Sequence, residues 1–225
     1  MNVAVVYIYP MAGANGYLNL AARFITSYHR CPSEFEHQTI IVSQSSPASD
    51  ETKFLFSSLP NVSHFTHDNS GYDIGAFQRV AREVPADLMI FFGATSYIKC
   101  VGWVRRAVES FIKYGDTLYG TMGHRGALPG VHPHIRTTGF WMNPQLLNRY
   151  PTIISRPDQR YGFEHGPNCL TSWIFNSGKT PWVVAYDDEY AIDKWDLIPN
   201  GYHQGDQSNL LTGDRMTAPP FYHTE

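Results

Sequence analysis

The residues best able to do chemistry lie in a few short segments. "RYGFEHG" places Glu164 next to His165. A carboxylate within hydrogen-bond reach of a hydroxyl can take its proton as that oxygen attacks. An imidazole can do the same, because its ordinary pKa lies close to neutrality. "NSGYDIGAF" sets Asn69, Gly71 and Asp73 in a tight-turn pattern ahead of a helical segment, with Asp73 near the helix start as a ligand group or a cap. "FFGATS" ends an apolar run on Gly93, Ala94, Thr95 and Ser96, which are small enough to leave room for a ligand. Lys99, Arg105 and Arg106 follow, and Arg136 and Arg215 stand further on. Arginine can grip a phosphate in bidentate fashion.

The histidines suggest a second kind of site. "HRGALPGVHPH" contributes His124, His132 and His134, which with Glu164 and His165 are the residue types of a metal-dependent hydrolase. No HExxH pattern accompanies them, and no Walker A, GxGxxG or GxSxG motif is present; the glycine spacing in "MAGANG" does not fit a dinucleotide fingerprint. The tail "NGYHQGDQSNLLTGDR" adds His203, Asp206, Asp214 and Arg215.

These groups need a scaffold, and the pattern of apolar residues indicates which. Val3 to Tyr9, "HQTIIVSQSS", Val62 to Thr66 and Leu88 to Phe92 read as strands. Between them, Leu18, Leu20, Ala21, Phe24, Ile25 and Tyr28 recur at helical spacing, Lys53 to Leu59 suits a short helix, and Ile74, Phe77, Val80, Ala81 and Val84 form one helical face stopped by Pro85. Trp103, Ala107, Val108, Phe111 and Ile112 mark a further helix closed by Gly115. Downstream, "TLYGTMG" and "IRTTGFWM" read as strands and "NPQLLNRY" as a short helix capped by Asn143. "CLTSWIFNSG" reads as a helix ended by Gly178, and "TPWVVAY" as the last strand. This alternation predicts an α/β fold of three layers, with a mostly parallel central sheet covered on both faces. Ligands bind beyond the carboxyl ends of such strands. Tyr9, Ser43, Thr95 and Ser96 fall at those ends.

A single domain over 1–225 is expected, with the less regular segment 187–225 available to close over the site. The chain is 43% hydrophobic and only 16% charged, enough for a sizeable core and unlike a disordered chain. Its net charge of -3 carries no basic block, which argues against a nucleic-acid partner. The three cysteines, Cys31, Cys100 and Cys169, are widely spaced and lack CxxC; buried thiols in a reducing, cytoplasmic setting are expected. No apolar run has the roughly 20 residues needed to span a bilayer.

"DNSGYDIGAF" followed by "DLMIFF", together with this element order, resembles glycosyltransferases of the GT-A type, over Val3 to Tyr186. It is similar in particular to rhamnan-synthesis and capsular-polysaccharide transferases, through their N-x-G-x-D-x-G-A segment. The resemblance implies a GT-A-like, Rossmann-like fold and a nucleotide-sugar donor across the carboxyl edge of the sheet. It also implies inverting transfer to a glycan or polysaccharide acceptor. By the same resemblance "RYGFEHG" supplies the catalytic base, Glu164, with His165 where the family usually has Asp. The donor falls to Tyr9, Ser43, Asn69, Gly71, Asp73, Thr95, Ser96, Arg136 and Arg215, and His203 stands near metal or diphosphate as a lid closes. Glu164 is expected to sit at a helix N-terminus. The family commonly uses Mn²⁺ or Mg²⁺ held by an Asp-x-Asp pair, but Gly93 to Ser96 contain no carboxylate. Either a metal is held differently, or cations and backbone N–H groups neutralise the diphosphate, or the fold binds carbohydrate or nucleotide-sugar without catalysis.

Overall fold

The computed structural model describes residues 1–10, 15–124, 129–197, 207–215 and 217. Four strands form the regular half of the sheet: β1 (Val3–Pro10), β2 (Gln38–Gln44), β3 (Val62–His67) and β4 (Leu88–Phe92). All pair in parallel, with Tyr9 opposite Ser43 and Tyr7 opposite Phe92, so their carboxyl ends share one edge. Helices α1 (Asn15–Arg30), α2 (Asp50–Phe56) and α3 (Tyr72–Glu83) connect them, and α4 (Trp103–Tyr114) follows the short β5 (Tyr97–Ile98).

β1 shows why the sheet needs cover on both sides. Its alternate residues Ala4, Val6 and Ile8 enter one core with Phe77, Phe91 and Phe140. Val3, Val5 and Tyr7 enter the other, with Phe24, Phe92 and Trp103. Strand side chains alternate in direction, so an unbroken apolar run demands two apolar layers. Tyr7 stacks on Phe24 at a centroid distance of 4.0 Å, and Phe91 on Phe140 at 4.8 Å.

The second half is built of shorter pieces: β6 (Tyr119–Gly120), β7 (Gly123–His124), β8 (His134–Ile135), β9 (Gly139–Met142), α5 (Pro144–Leu147), α6 (Arg160–Glu164), α7 (Leu170–Asn176), β10 (Trp182–Val184), β11 (Glu189–Ala191) and β12 (Thr212–Gly213). The main sheet has eight strands in the order β11-β10-β6-β9-β4-β1-β2-β3. It is mostly parallel, with β9 antiparallel to β4 and β6, and β11 antiparallel to β10. β12 pairs with β5, and β7 with β8.

Several boundaries differ from the sequence expectation. α2 starts at Asp50 because Ser49 caps it, accepting from Thr52 N at 3.2 Å, with Asp50 and Glu51 in the first turn. α3 stops at Glu83; Val84, forced out of the helical region by Pro85, is extended at φ -108 and ψ 122. Ile112 is 73% exposed instead of core-facing. "TLYGTMG" and "IRTTGFWM" each divide into two strands, and the segment after Asp187 contains β11, a 3-10 turn over Ile192–Leu197 and β12, so "TPWVVAY" is not the last strand. Asn143 caps α5 as expected, accepting from Gln145 N at 2.7 Å. Among the described residues no helix is long and apolar enough to cross a membrane.

Candidate active site

A cleft of about 780 Å³ opens beyond the carboxyl ends of β1, β2 and β4. It gathers Asn69, Asp73, Thr95, Arg136, Glu164, His165 and Arg215 from five separated stretches of chain. Tyr9, Ser43, Gly71 and Ser96 do not line it. Tyr9 packs edge-on against Phe56. Ser96 is buried and donates its hydroxyl to Thr138 O, bracing the floor from beneath. Gly71 shapes the turn from within: at φ +68, a Cβ there would come within 2.1 Å of Ile154 O. His203 lies outside the described residues.

The floor is the loop after β4. Its carbonyls are tied down from the sheet side: Tyr7 Oη donates to Ala94 O at 2.9 Å, and Arg23 Nη2 donates to Thr95 O at 2.5 Å. Arg23 lies over the Tyr97 ring, 4.4 Å from its centroid. Nothing in the motif pattern singled out Arg23; its helical position in α1 gives no hint that it reaches the strand end. A Cβ at Gly93 would meet Thr138 at an ordinary 3.7 Å. Packing therefore does not require glycine, and its effect is to keep the floor low.

Where β2 and β3 end, polar groups are left without partners. Gln44 is 6% exposed and its Nε2 is buried with no hydrogen-bond partner; Asn69 Oδ1 is buried and unpaired in the same way. Both residues line the cleft, and Gln44 pairs in register with His67, whose Nδ1 accepts from Asn69 N at 3.1 Å. Ser43 Oγ, buried behind them, is also unpaired. Buried polar atoms are nearly always satisfied, so a donor and an acceptor left open on one wall suit a ligand that offers the complementary pair. Gln44 was missed in the sequence because it falls one residue past the apolar run of β2.

A second set of cleft residues is linked by ion pairs. Arg160 Nε lies 3.0 Å from Asp73 Oδ1, and its Nη2 reaches Glu164 Oε1 at 3.5 Å. Thr137 Oγ1 donates to Glu164 Oε1 at 2.6 Å. Asp214, with a side chain 0% exposed, is held by Arg136 Nη2 at 2.5 Å and by Thr138 Oγ1 at 2.6 Å. Burial pushes the Asp73 carboxyl above its usual range; Arg160 pulls it back and the Glu164 charge pushes it up again. Asp73 does not cap α3, whose N-cap is Gly71; its Oδ1 accepts from Ile74 N at 3.1 Å.

Glu164 is the last residue of α6, with His165 as the C-cap, and the next helix starts only at Leu170. The expectation of a helix N-terminus is therefore corrected. Gly166 and Pro167 break the chain between the two helices, so Glu164 lies at the C-terminal end of its own helix. The imidazoles do not converge either. His124 stacks on His134 at 5.0 Å and 21°, His134 leans on His165 at 5.4 Å, and Tyr161 meets His165 edge-on at 4.3 Å. Stacked rings present faces to one another instead of aiming lone pairs at one point. Among the described residues no three His, Cys, Asp or Glu side chains are placed to hold a metal ion. Mg²⁺ requires near-octahedral oxygen ligands, whereas Asp73 and Glu164 share Arg160, and Asp214 is held by Arg136. The described residues do not fit Mn²⁺ or Mg²⁺.

No protein-family model and no curated protein sequence matches the chain. Solved structures do match. A putative glucose-1-phosphate thymidylyltransferase from Bacillus anthracis, in complex with a sucrose, aligns at 10% identity over 79% of this chain and 84% of its own, with a TM-score of 0.51. Mouse xyloside xylosyltransferase 1 aligns at 14% identity over 80% and 82%, with a TM-score of 0.50. The S. aureus TarS 1-349 structure aligns at 12% identity and a TM-score of 0.46 over 65% of this chain, which spans 48% of that protein's length. With its strand order and the cleft at the strands' carboxyl ends, the chain has a three-layer, GT-A-like α/β fold.

Proposed function

We propose that the protein is a glycosyltransferase moving a sugar from a nucleotide-diphosphate donor to a hydroxyl of a glycan or polysaccharide, with inversion. The observation that supports this best is a single cleft beyond the strands' carboxyl ends, lined by the amides of Gln44 and Asn69 and by the linked group Asp73, Arg160 and Glu164. The Gln44 and Asn69 side-chain amides suit a nucleoside, which offers both donors and acceptors. The low floor at Gly93, Ala94 and Thr95 leaves space for the diphosphate, and Arg136 and Arg215 line the cleft as cations for its charge. Glu164 receives the proton of the acceptor hydroxyl as that oxygen attacks from the face opposite the leaving diphosphate. Arg160 and Thr137 hold its carboxylate in place. No step in this scheme passes through a metal.

The test is nucleotide release from a panel of UDP-, GDP- and dTDP-sugars, with and without EDTA, beside direct donor binding. Glu164→Gln is expected to bind donor as the wild type does and to lose transfer. A wild-type protein that neither binds nor turns over any member of the panel overturns the proposal. A second reading, a nucleotide-sugar-binding protein of the same fold without transfer, is favoured by the absence of any carboxylate from Gly93 to Ser96. It predicts donor binding with no nucleotide release.

A further inference from the structure

Tyr72 has a backbone conformation that its side chain does not favour. It is the first residue of α3, with φ +55, and it follows Asn69 at φ +69 and Gly71 at φ +68 in the same turn. Asn and Gly enter this left-handed region readily, whereas a bulky residue there is a real outlier. The conformation at Gly71 is explained by the backbone of Ile154, which leaves no room for a Cβ. Core packing does not explain Tyr72: the ring belongs to neither apolar core, is 41% exposed and lines the cleft.

The ring has one close neighbour of note. The Arg160 guanidinium lies over it, 5.7 Å from the centroid, and Arg160 is itself fixed by Asp73 and Glu164. The aromatic surface is thus set beside two carboxylates that can accept hydrogen bonds from hydroxyls. A flat apolar face next to carboxylate acceptors is what a pyranose ring requires, since its C–H face is apolar and its edge carries hydroxyls. Strain held at an exposed position is otherwise found where it serves a site.

We propose that Tyr72 is a stacking platform for a pyranose ring at the Asp73–Arg160–Glu164 end of the cleft. This deepens the glycosyltransferase reading and rests on it for whether the ring belongs to donor or acceptor, but sugar binding itself can be measured without turnover. Wild type, Tyr72→Phe and Tyr72→Gly are compared by saturation-transfer NMR with methyl β-D-glucopyranoside, methyl β-D-galactopyranoside and methyl α-D-mannopyranoside, alone and with saturating UDP or GDP. A second arm uses UDP-glucose and GDP-mannose. Thermal unfolding of each variant is recorded alongside.

Saturation of ring C–H protons is expected in wild type and Tyr72→Phe, with a loss of about tenfold or more in sugar affinity in Tyr72→Gly. Tyr72→Gly should unfold at the same or a higher temperature, because glycine adopts φ +55 without strain. Saturation of free glycosides in the presence of UDP or GDP assigns the ring to the acceptor; saturation only when the sugar arrives on the nucleotide assigns it to the donor. The proposal is overturned if no sugar in either arm loses saturation in Tyr72→Gly, or if that variant unfolds at a clearly lower temperature, as a packing residue would. Glycoside binding that depends on Tyr72 without any nucleotide-sugar turnover would remove the glycosyltransferase reading and leave this one standing.

Discussion

Two groups of residues lining the cleft differ in how their polar atoms are engaged. At the ends of β2 and β3, Gln44 Nε2 and Asn69 Oδ1 are buried without partners. In the other group, Arg136 with Asp214 and Arg160 with Asp73 and Glu164 are each engaged. An open buried amide costs folding energy that a ligand can return, whereas a paired carboxylate gains fixed direction from its partner. The first arrangement suits recognition and the second suits positioned chemistry, so one cleft divides its work between binding and reaction.

The largest expected effect bears on the paired group. Glu164→Gln keeps the shape and removes the proton acceptor, so transfer should fall by about 10²- to 10⁴-fold while donor affinity stays near wild type; wild-type turnover would remove Glu164 from the role. Asp214→Ala removes the carboxylate that accepts from Arg136 and Thr138, a change of up to about 3–5 kcal/mol in stability, read as a lowered midpoint in urea. A loss of only a few tenths would show that Arg136 finds water or another group and that the pairing is less fixed than described. In the open group, Gln44→Ala should weaken nucleotide binding by about tenfold, roughly the 1.4 kcal/mol of one hydrogen bond. It should do so with a smaller loss of stability than Asp214→Ala, because the unpaired Nε2 has no hydrogen bond to lose; a stability loss as large as that of Asp214→Ala would erase the contrast.

A further effect concerns pH. Burial lowers the His134 imidazole from 6.5 to about 4, with His124, His165 and Arg136 adding repulsion and the His132 carbonyl opposing it. The folded state thus binds this proton later than the unfolded chain does. Its contribution to stability is full above pH 6.5 and is lost as pH falls towards about 4. Melting temperature should decline over that window, and His134→Asn should flatten the decline.

The contrast also explains what could be read from the sequence. Leu88–Phe92 matches its strand residue for residue, because five unbroken apolar residues between Asp87 and Gly93 allow few alternatives. The α3 face from Ile74 to Ala81 was equally plain, since period and Pro85 agree. Glu164, Asp73 and Arg136 were legible by residue type, but their pairing through Arg160 and Asp214 was not. Arg136 with Asp214 and Arg160 with Asp73 join residues 78 and 87 positions apart, which no local pattern records; only Arg160 with Glu164, four positions apart, is local. "IRTTGFWM" fits an eight-residue strand by composition, yet it breaks because Arg136, Thr137 and Thr138 form tertiary contacts with Asp214 and Glu164 that override β propensity. The placement of Glu164 failed for a similar reason: "RYGFEHG" reads as a helix start, and only the packed chain shows that its helix ends there.

Three consecutive residues, Arg136, Thr137 and Thr138, reach alternately to Asp214, just after β12, and to Glu164 of α6. Each assignment depends on its neighbour's being exactly one position away. Inserting or deleting a single residue between β8 and β9 would send every one of these side chains to the wrong partner at once. This short connection should therefore reject any change in length, although it looks like an ordinary loop.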